Sequence, residues 1–184
     1  MTTVVTITGS PSAPSRSAAL AQHVADQLRT RGFELHAINV RELPAAALLS
    51  AQASEPAIAA AISLIERADG IVISTPIYKA AYTGVLKVFL DLLPQFAFAH
   101  KVVLPLATGG TLAHVLALDY AVRPVLAALG AQHVVNGLFL LDKTLAIADG
   151  ALTIDTDVDG RLATVVEDFA ASVARRAPRD RPAG

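Results

Sequence analysis

Three short runs restrict this chain more than any other feature: TVVTIT at 3–8, GIVIST at 70–75 and KVVLPLA at 101–107. Each is apolar or β-branched at nearly all successive positions, not at alternate ones. A strand with that pattern buries both of its faces. Such strands belong to a sheet covered by helices on two sides. The composition allows it, with 53% hydrophobic and only 17% charged residues.

Helical patterns separate these runs. Leu20, Val24 and Leu28 recur at helical spacing over 17–30, with Gly32 as a stop. Residues 33–40 alternate and read as a second strand; 41–53 reads as an irregular connection. A helix is expected over 54–68, capped by Ser54, with Pro56 in its first turn and Ile58, Ile62 and Ile65 on one face. Further helices are expected over 83–93, 111–129 and 160–176, and a fifth strand over 133–140. Pro105 removes a ladder donor from the fourth strand, so it is expected near a strand end or at a bulge. Residues 1–176 then form one domain, and 177–184 a flexible tail. Strands alternating with helices imply parallel pairing through right-handed crossovers. The expected fold is a three-layer α/β sandwich. Five strands favour the flavodoxin-like order 2-1-3-4-5 over the six-stranded dinucleotide-binding order.

Several function classes drop out. A net charge of −1 provides no basic field for nucleic acid or an anionic membrane. With no cysteine, thiol catalysis, disulfides and thiolate metal sites are excluded. The five histidines show no metal-ligand spacing, so no metal site is expected. Neither a signal-peptide pattern nor a bilayer-spanning apolar stretch is evident, so a cytoplasmic protein is expected.

In a doubly wound sheet, ligands bind beyond the carboxyl ends of the strands. Three loops fall there. The first, GSPSAPSRS, carries neither G-x-G-x-x-G nor G-x-x-x-x-G-K-[ST]. It suits a phosphate monoester: hydroxyls of Ser10, Ser15 and Ser17, the Arg16 guanidinium, and the N–H groups opening a helix. A turn that merely caps a helix has the same composition; its place after the first strand favours the anion site. The second loop, TPIYKAAYTGVLK, offers Pro76, Ile77 and Tyr78 as apolar surface for a flat ring, although Tyr78 and Tyr82 also suit a cover for the sheet end. The third, ATGGTLAH, offers Thr108, Gly109, Gly110 and Thr111, with bare backbone for close approach of a polar ring edge. A phosphate, an aromatic plane and a polar edge together describe FMN.

Pro124 lies deep in the expected helix 111–129. It cannot donate to the carbonyl of Tyr120, and its ring clashes with that carbonyl. A kink or a π-bulge is therefore expected around Tyr120. The polar Asp119, Tyr120 and Arg123 beside the Gly-Gly loop favour a functional role; a plain kink with Tyr120 packed in the core is the alternative.

At these residues the sequence resembles a known family. GSPSAPSRS, TPIYKAAYTGVLKVFLDLLP, KVVLPLATGGTLAH and LDYAVRPVLAALGA are similar to stretches of the NADPH-dependent FMN reductases, in particular those serving two-component alkanesulfonate monooxygenases. The likeness runs over roughly 3–140, and the segment after Leu140 carries no recognisable motif. The resemblance implies hydride transfer from a nicotinamide, NADPH or NADH, to FMN, with FMN as an exchangeable substrate. Reduced FMN would pass to a partner monooxygenase, for sulfonate sulfur assimilation. By motif position, Ser10, Ser15, Arg16 and Ser17 would hold the phosphate, Pro76, Ile77 and Tyr78 the isoalloxazine, and Thr108, Gly109, Gly110 and Thr111 its pyrimidine side. Tyr120 would lie in a π-turn at an interface of a homotetramer built from dimers, with Leu116, Leu118 and Val122 supplying apolar association. Hydride transfer between stacked rings needs orientation, so no residue is assigned as a catalytic acid or base. The main rival is a quinone or azo reductase of the same fold that retains its flavin. An electron-transfer flavodoxin and a non-catalytic flavin-binding protein are further alternatives.

Overall fold

The computed structural model describes residues 2–148 and 150–176. The expected tail at 177–184 lies outside the described residues. Strands β1 (Thr3–Thr8), β2 (Glu34–Asn39), β3 (Gly70–Tyr78), β5 (Val102–Gly109) and β6 (His133–Val134) form a parallel sheet in the order β2-β1-β3-β5-β6. This is the flavodoxin-like order. A short β4 (Ala81–Tyr82) folds back on the end of β3, and β7 (Leu138–Leu141) continues along β5.

Alternation along the strands sorts the core into two layers. Val5, Ile7, Ile71, Ile73 and Val103 pack on one face, under helices α3 (Pro56–Arg67) and α4 (Gly84–Leu90) and against Phe98. Val4, Val72, Val102, Leu104 and Leu106 pack on the other, under α1 (Arg16–Thr30) and α6 (Thr156–Arg176). Leu20, Val24 and Leu28 of α1 and Leu162, Val166, Phe169 and Val173 of α6 close that layer. At roughly 25 cal/mol per Å2 of apolar area buried, these layers supply the main folding force.

Local details depart from the sequence expectations for identifiable reasons. Helix α3 is capped by Glu55, not Ser54: its carboxylate takes the N–H groups of Ala57 and Ile58 at 2.9 and 3.1 Å. The connection 41–53 contains a short helix, α2 (Ala45–Leu49). The fifth strand is split into β6 and β7. Val135 donates to Val103, so Val103 and, two residues on, Pro105 turn their polar groups to this edge. Pro105 has no N–H to offer, and Gly137 crosses there so closely that a Cβ would lie 2.5 Å from the Pro105 carbonyl oxygen. Pro105 thus sits mid-strand, opposite the interruption.

The expected long helix 111–129 is three pieces. Thr111 caps a 3-10 turn (Leu112–His114), a π-turn follows (Leu118–Val122), and only α5 (Arg123–Ala128) is α-helical. Arg123 N–H reaches back to the Leu118 carbonyl, the wide bond that Pro124 imposes. Leu118 and Val122 are buried in the core, so they do not supply an outward-facing surface; Leu116 is exposed. A hairpin of β8 (Leu145–Ala148) and β9 (Ala151–Ile154) follows β7 and lies on α1. Helix α6 begins at Thr156, a turn before expectation.

Candidate functional site

The first loop is tied to the second before either can meet a ligand. Gly9 N–H donates to the Ser74 carbonyl at 3.0 Å, and the Thr83 hydroxyl donates to the Gly9 carbonyl. Thr83 also caps α4, accepting from Leu86 N–H at 3.1 Å. A Cβ on Gly9 would lie 2.5 Å from the Leu86 Cβ, so only glycine allows this approach. Ser10 is buried, and its hydroxyl oxygen accepts from Ser12 N–H at 3.3 Å. Ser15 caps α1, accepting from Ala18 N–H at 3.2 Å, and its hydroxyl lies 3.1 Å from that of Ser17. The Arg16 Nε donates to the Leu145 carbonyl at 3.1 Å. Its two terminal nitrogens have no acceptor among the described residues.

The second loop continues β3 through Pro76 and Ile77 to Tyr78, which is 50% exposed. The hairpin to β4 turns through Lys79 and Ala80 at φ of 52° and 65°. Tyr82 returns opposite Ile77; burial pushes its phenol above the usual tyrosine value, while nearby Lys87 pulls it down. The third loop leaves β5 at Gly109. A Cβ there would lie 2.8 Å from the Phe139 ring, whereas one on Gly110 would meet only the Asp142 carboxylate, at 3.9 Å. Thr111 turns its hydroxyl to Ala113 N–H.

One solvent-open cleft joins the three loops. Ser12, Pro14, Ser15, Arg16 and Ser17 line one end; Pro76, Ile77, Tyr78, Thr108, Gly109 and Asp142 line the rest. Of the residues singled out from sequence, Ser15, Arg16, Ser17, Pro76, Ile77, Tyr78, Thr108 and Gly109 meet there. Ser10, Gly110 and Thr111 flank the cleft in the same loops without lining it, and Tyr120 lies in the π-turn, 79% exposed. Sequence reasoning missed Ser12 and Pro14, which sit inside the first loop, and Asp142, which no pattern flagged. The donor set fits FMN: hydroxyls, a guanidinium and a helix start at one end, apolar surface in the middle, bare glycine backbone beyond.

The model of the NADPH-dependent FMN reductases matches residues 2–146. The chain belongs to this family. As a member it is an oxidoreductase that works with FMN and a reduced nicotinamide. An FMN reductase (NADPH) of Pseudomonas putida is 45% identical, across 94% of this chain and 89% of the relative. The apo structure of an NADH:FMN oxidoreductase superposes with a TM-score of 0.86 at 42% identity, covering 94% and 90% of the two chains. NADH-dependent FMN reductase SfnE, also of Pseudomonas putida, is 33% identical over 78% of each chain. Among the described residues no helix is long and apolar enough to cross a membrane.

Proposed function

We propose that this FMN reductase binds FMN in the three-loop cleft as an exchangeable substrate, reduces it with NADPH or NADH, and passes the product to a separate flavin-dependent monooxygenase. The proposed setting is cytoplasmic sulfonate sulfur assimilation. The convergence of the three loops in one solvent-open cleft carries the reading. The motif likeness to alkanesulfonate-system reductases, with SfnE among the relatives, supports the downstream partner.

In this reading Ser15, Ser17 and the start of α1 hold the phosphate, with the terminal nitrogens of Arg16 as a fork. Ser10 braces the loop from beneath while its proton stays available to an acceptor. Pro76, Ile77 and Tyr78 hold the ring plane, and Thr108, Gly109, Gly110 and Thr111 border its pyrimidine side. FMN, when bound, supplies the two-electron acceptor. The protein supplies closeness and orientation, which need no acid or base from the chain. Exposed Tyr120, Leu112, Leu116 and Val115 form an apolar surface beside the third loop, suited to a homotetramer built from dimers.

Gel-filtered protein should be colourless and should oxidise NADPH or NADH only when FMN is added. Stoichiometric flavin surviving dialysis, with quinone or azo-dye reduction in the absence of added FMN, would assign the flavin-retaining alternative instead.

A further inference from the structure

We propose that Asp142 is the positioning residue for the polyol of the flavin, its carboxylate accepting hydrogen bonds from the ribityl hydroxyls. This rests on reading the cleft as the FMN site. Asp142 follows β7 directly, and its neighbour Leu141 pairs with Gly109 in the sheet register. Its carboxylate therefore stands beside Gly110, 3.9 Å from where a Cβ on that residue would sit. Three residues on, the Leu145 carbonyl holds the Arg16 Nε. One short segment thus joins the loop assigned to the ring edge with the arginine assigned to the phosphate. In FMN, what joins ring to phosphate is the ribityl chain.

The chemistry narrows the choice further. Among the described residues Asp142 is the one acidic group lining the cleft, and it is partly buried. Among the described residues no side chain or N–H bonds its carboxylate. A ligand that displaces water from a carboxylate must bring donors, or binding carries the cost of an unpaired charge. A phosphate brings only acceptors and a like charge. Polyol hydroxyls bring O–H donors at the right place along the ligand. The turn that carries Asp142 is fixed: Leu145 N–H returns to the Asp142 carbonyl, and the Thr144 hydroxyl donates to the Leu141 carbonyl at 2.8 Å. The carboxylate is held ready for a ligand by the end of the sheet.

The test is equilibrium binding of three oxidised flavins, followed by fluorescence: FMN, riboflavin and lumiflavin, which has the ring without the polyol. Asp142→Ala should weaken FMN and riboflavin alike, by roughly ten- to a hundredfold, the loss expected for hydrogen bonds to a charged group, and leave lumiflavin unchanged. Asp142→Asn, which keeps one acceptor oxygen and the side-chain shape, should recover most of the affinity; thermal melts of both variants should match the parent. An equal loss for lumiflavin would overturn the proposal by putting the carboxylate on the ring. So would unchanged affinity for all three flavins with a raised KM for the nicotinamide. Arg16→Ala, measured in parallel, tests the underlying site. If it weakens FMN selectively while Asp142→Ala leaves riboflavin untouched, the polyol role fails and the FMN site stands. If Arg16→Ala costs FMN and riboflavin equally, the site reading itself fails.

Discussion

Replacing Arg16 with alanine isolates the phosphate end of the cleft. A guanidinium carries five N–H donors. The Nε–H is already given to the Leu145 carbonyl at 3.1 Å, which fixes the plane and leaves the terminal nitrogens for an anion. A hydrogen bond to a charged partner contributes about 1.5–3 kcal/mol, so the FMN dissociation constant should rise roughly ten- to a hundredfold. Riboflavin lacks the phosphate and should lose less than about threefold, through slackening of the β8–β9 hairpin against α1 alone. Because Arg16 is exposed, the loss of that anchoring bond should lower stability by only about 0.5–1 kcal/mol. Arg16→Lys restores the charge but not the planar fork or the Leu145 anchor, and should fall between parent and alanine. Flavin-fluorescence titrations with FMN and riboflavin, alongside thermal melts, read all three effects. Equal losses for the two flavins would refute the phosphate assignment, since nothing else in FMN distinguishes it from riboflavin.

Ala80→Gly should stabilise the fold by about 0.5–1 kcal/mol, because Ala80 sits at φ 65° where a left-handed residue costs about 1–2 kcal/mol; a lowered melting temperature would show that the turn is not strained. Gly109→Ala drives a Cβ to 2.8 Å from the Phe139 ring, so a loss of about 1–3 kcal/mol in denaturant melts and weaker flavin binding are expected, and parental values for both would show that the ring moves freely. On the proposed tetramer, Tyr120→Ala should yield a smaller species in sedimentation velocity while circular dichroism stays unchanged, as expected for a side chain 79% exposed; an unaltered sedimentation coefficient with unaltered FMN affinity would remove Tyr120 from any interface.

The sheet was readable because continuous apolar runs leave a strand no exposed face. β1, β3 and β5 fall where TVVTIT, GIVIST and KVVLPLA stand, and their order is the one that a count of five strands favours. The π-turn was readable for a different reason. Pro124 strikes one identified carbonyl, that of Tyr120, and the helix answers at that point. Which side of the turn faces outward was less legible. Leu116, Leu118 and Val122 look alike in sequence, yet the last two are buried in the core and Leu116 is exposed. Ser54 and Glu55 are both able to cap, and the sequence does not say which one the backbone presents to α3. The β8–β9 hairpin did carry a signal, Asp149-Gly150 between two apolar runs, a pair common in hairpin turns.

Asp142 carried no such signal, and the reason lies in how a doubly wound sheet builds a cleft. Hydroxyl-rich, aromatic and glycine-rich loops announce themselves by composition, since each must do locally unusual things with its backbone or its surface. A single aspartate after a strand does nothing unusual locally. Its meaning is set by register: Leu141 lies opposite Gly109, and this places the next residue against the third loop. That register depends in turn on where the fifth strand resumes after its interruption, which is fixed by the close crossing of Gly137 over Pro105. A resumption one residue later would turn the side chain of residue 142 to the opposite face of the edge. The carboxylate thus reaches the cleft through a register that shifts beside Pro105, a residue with no N–H, several residues below the site.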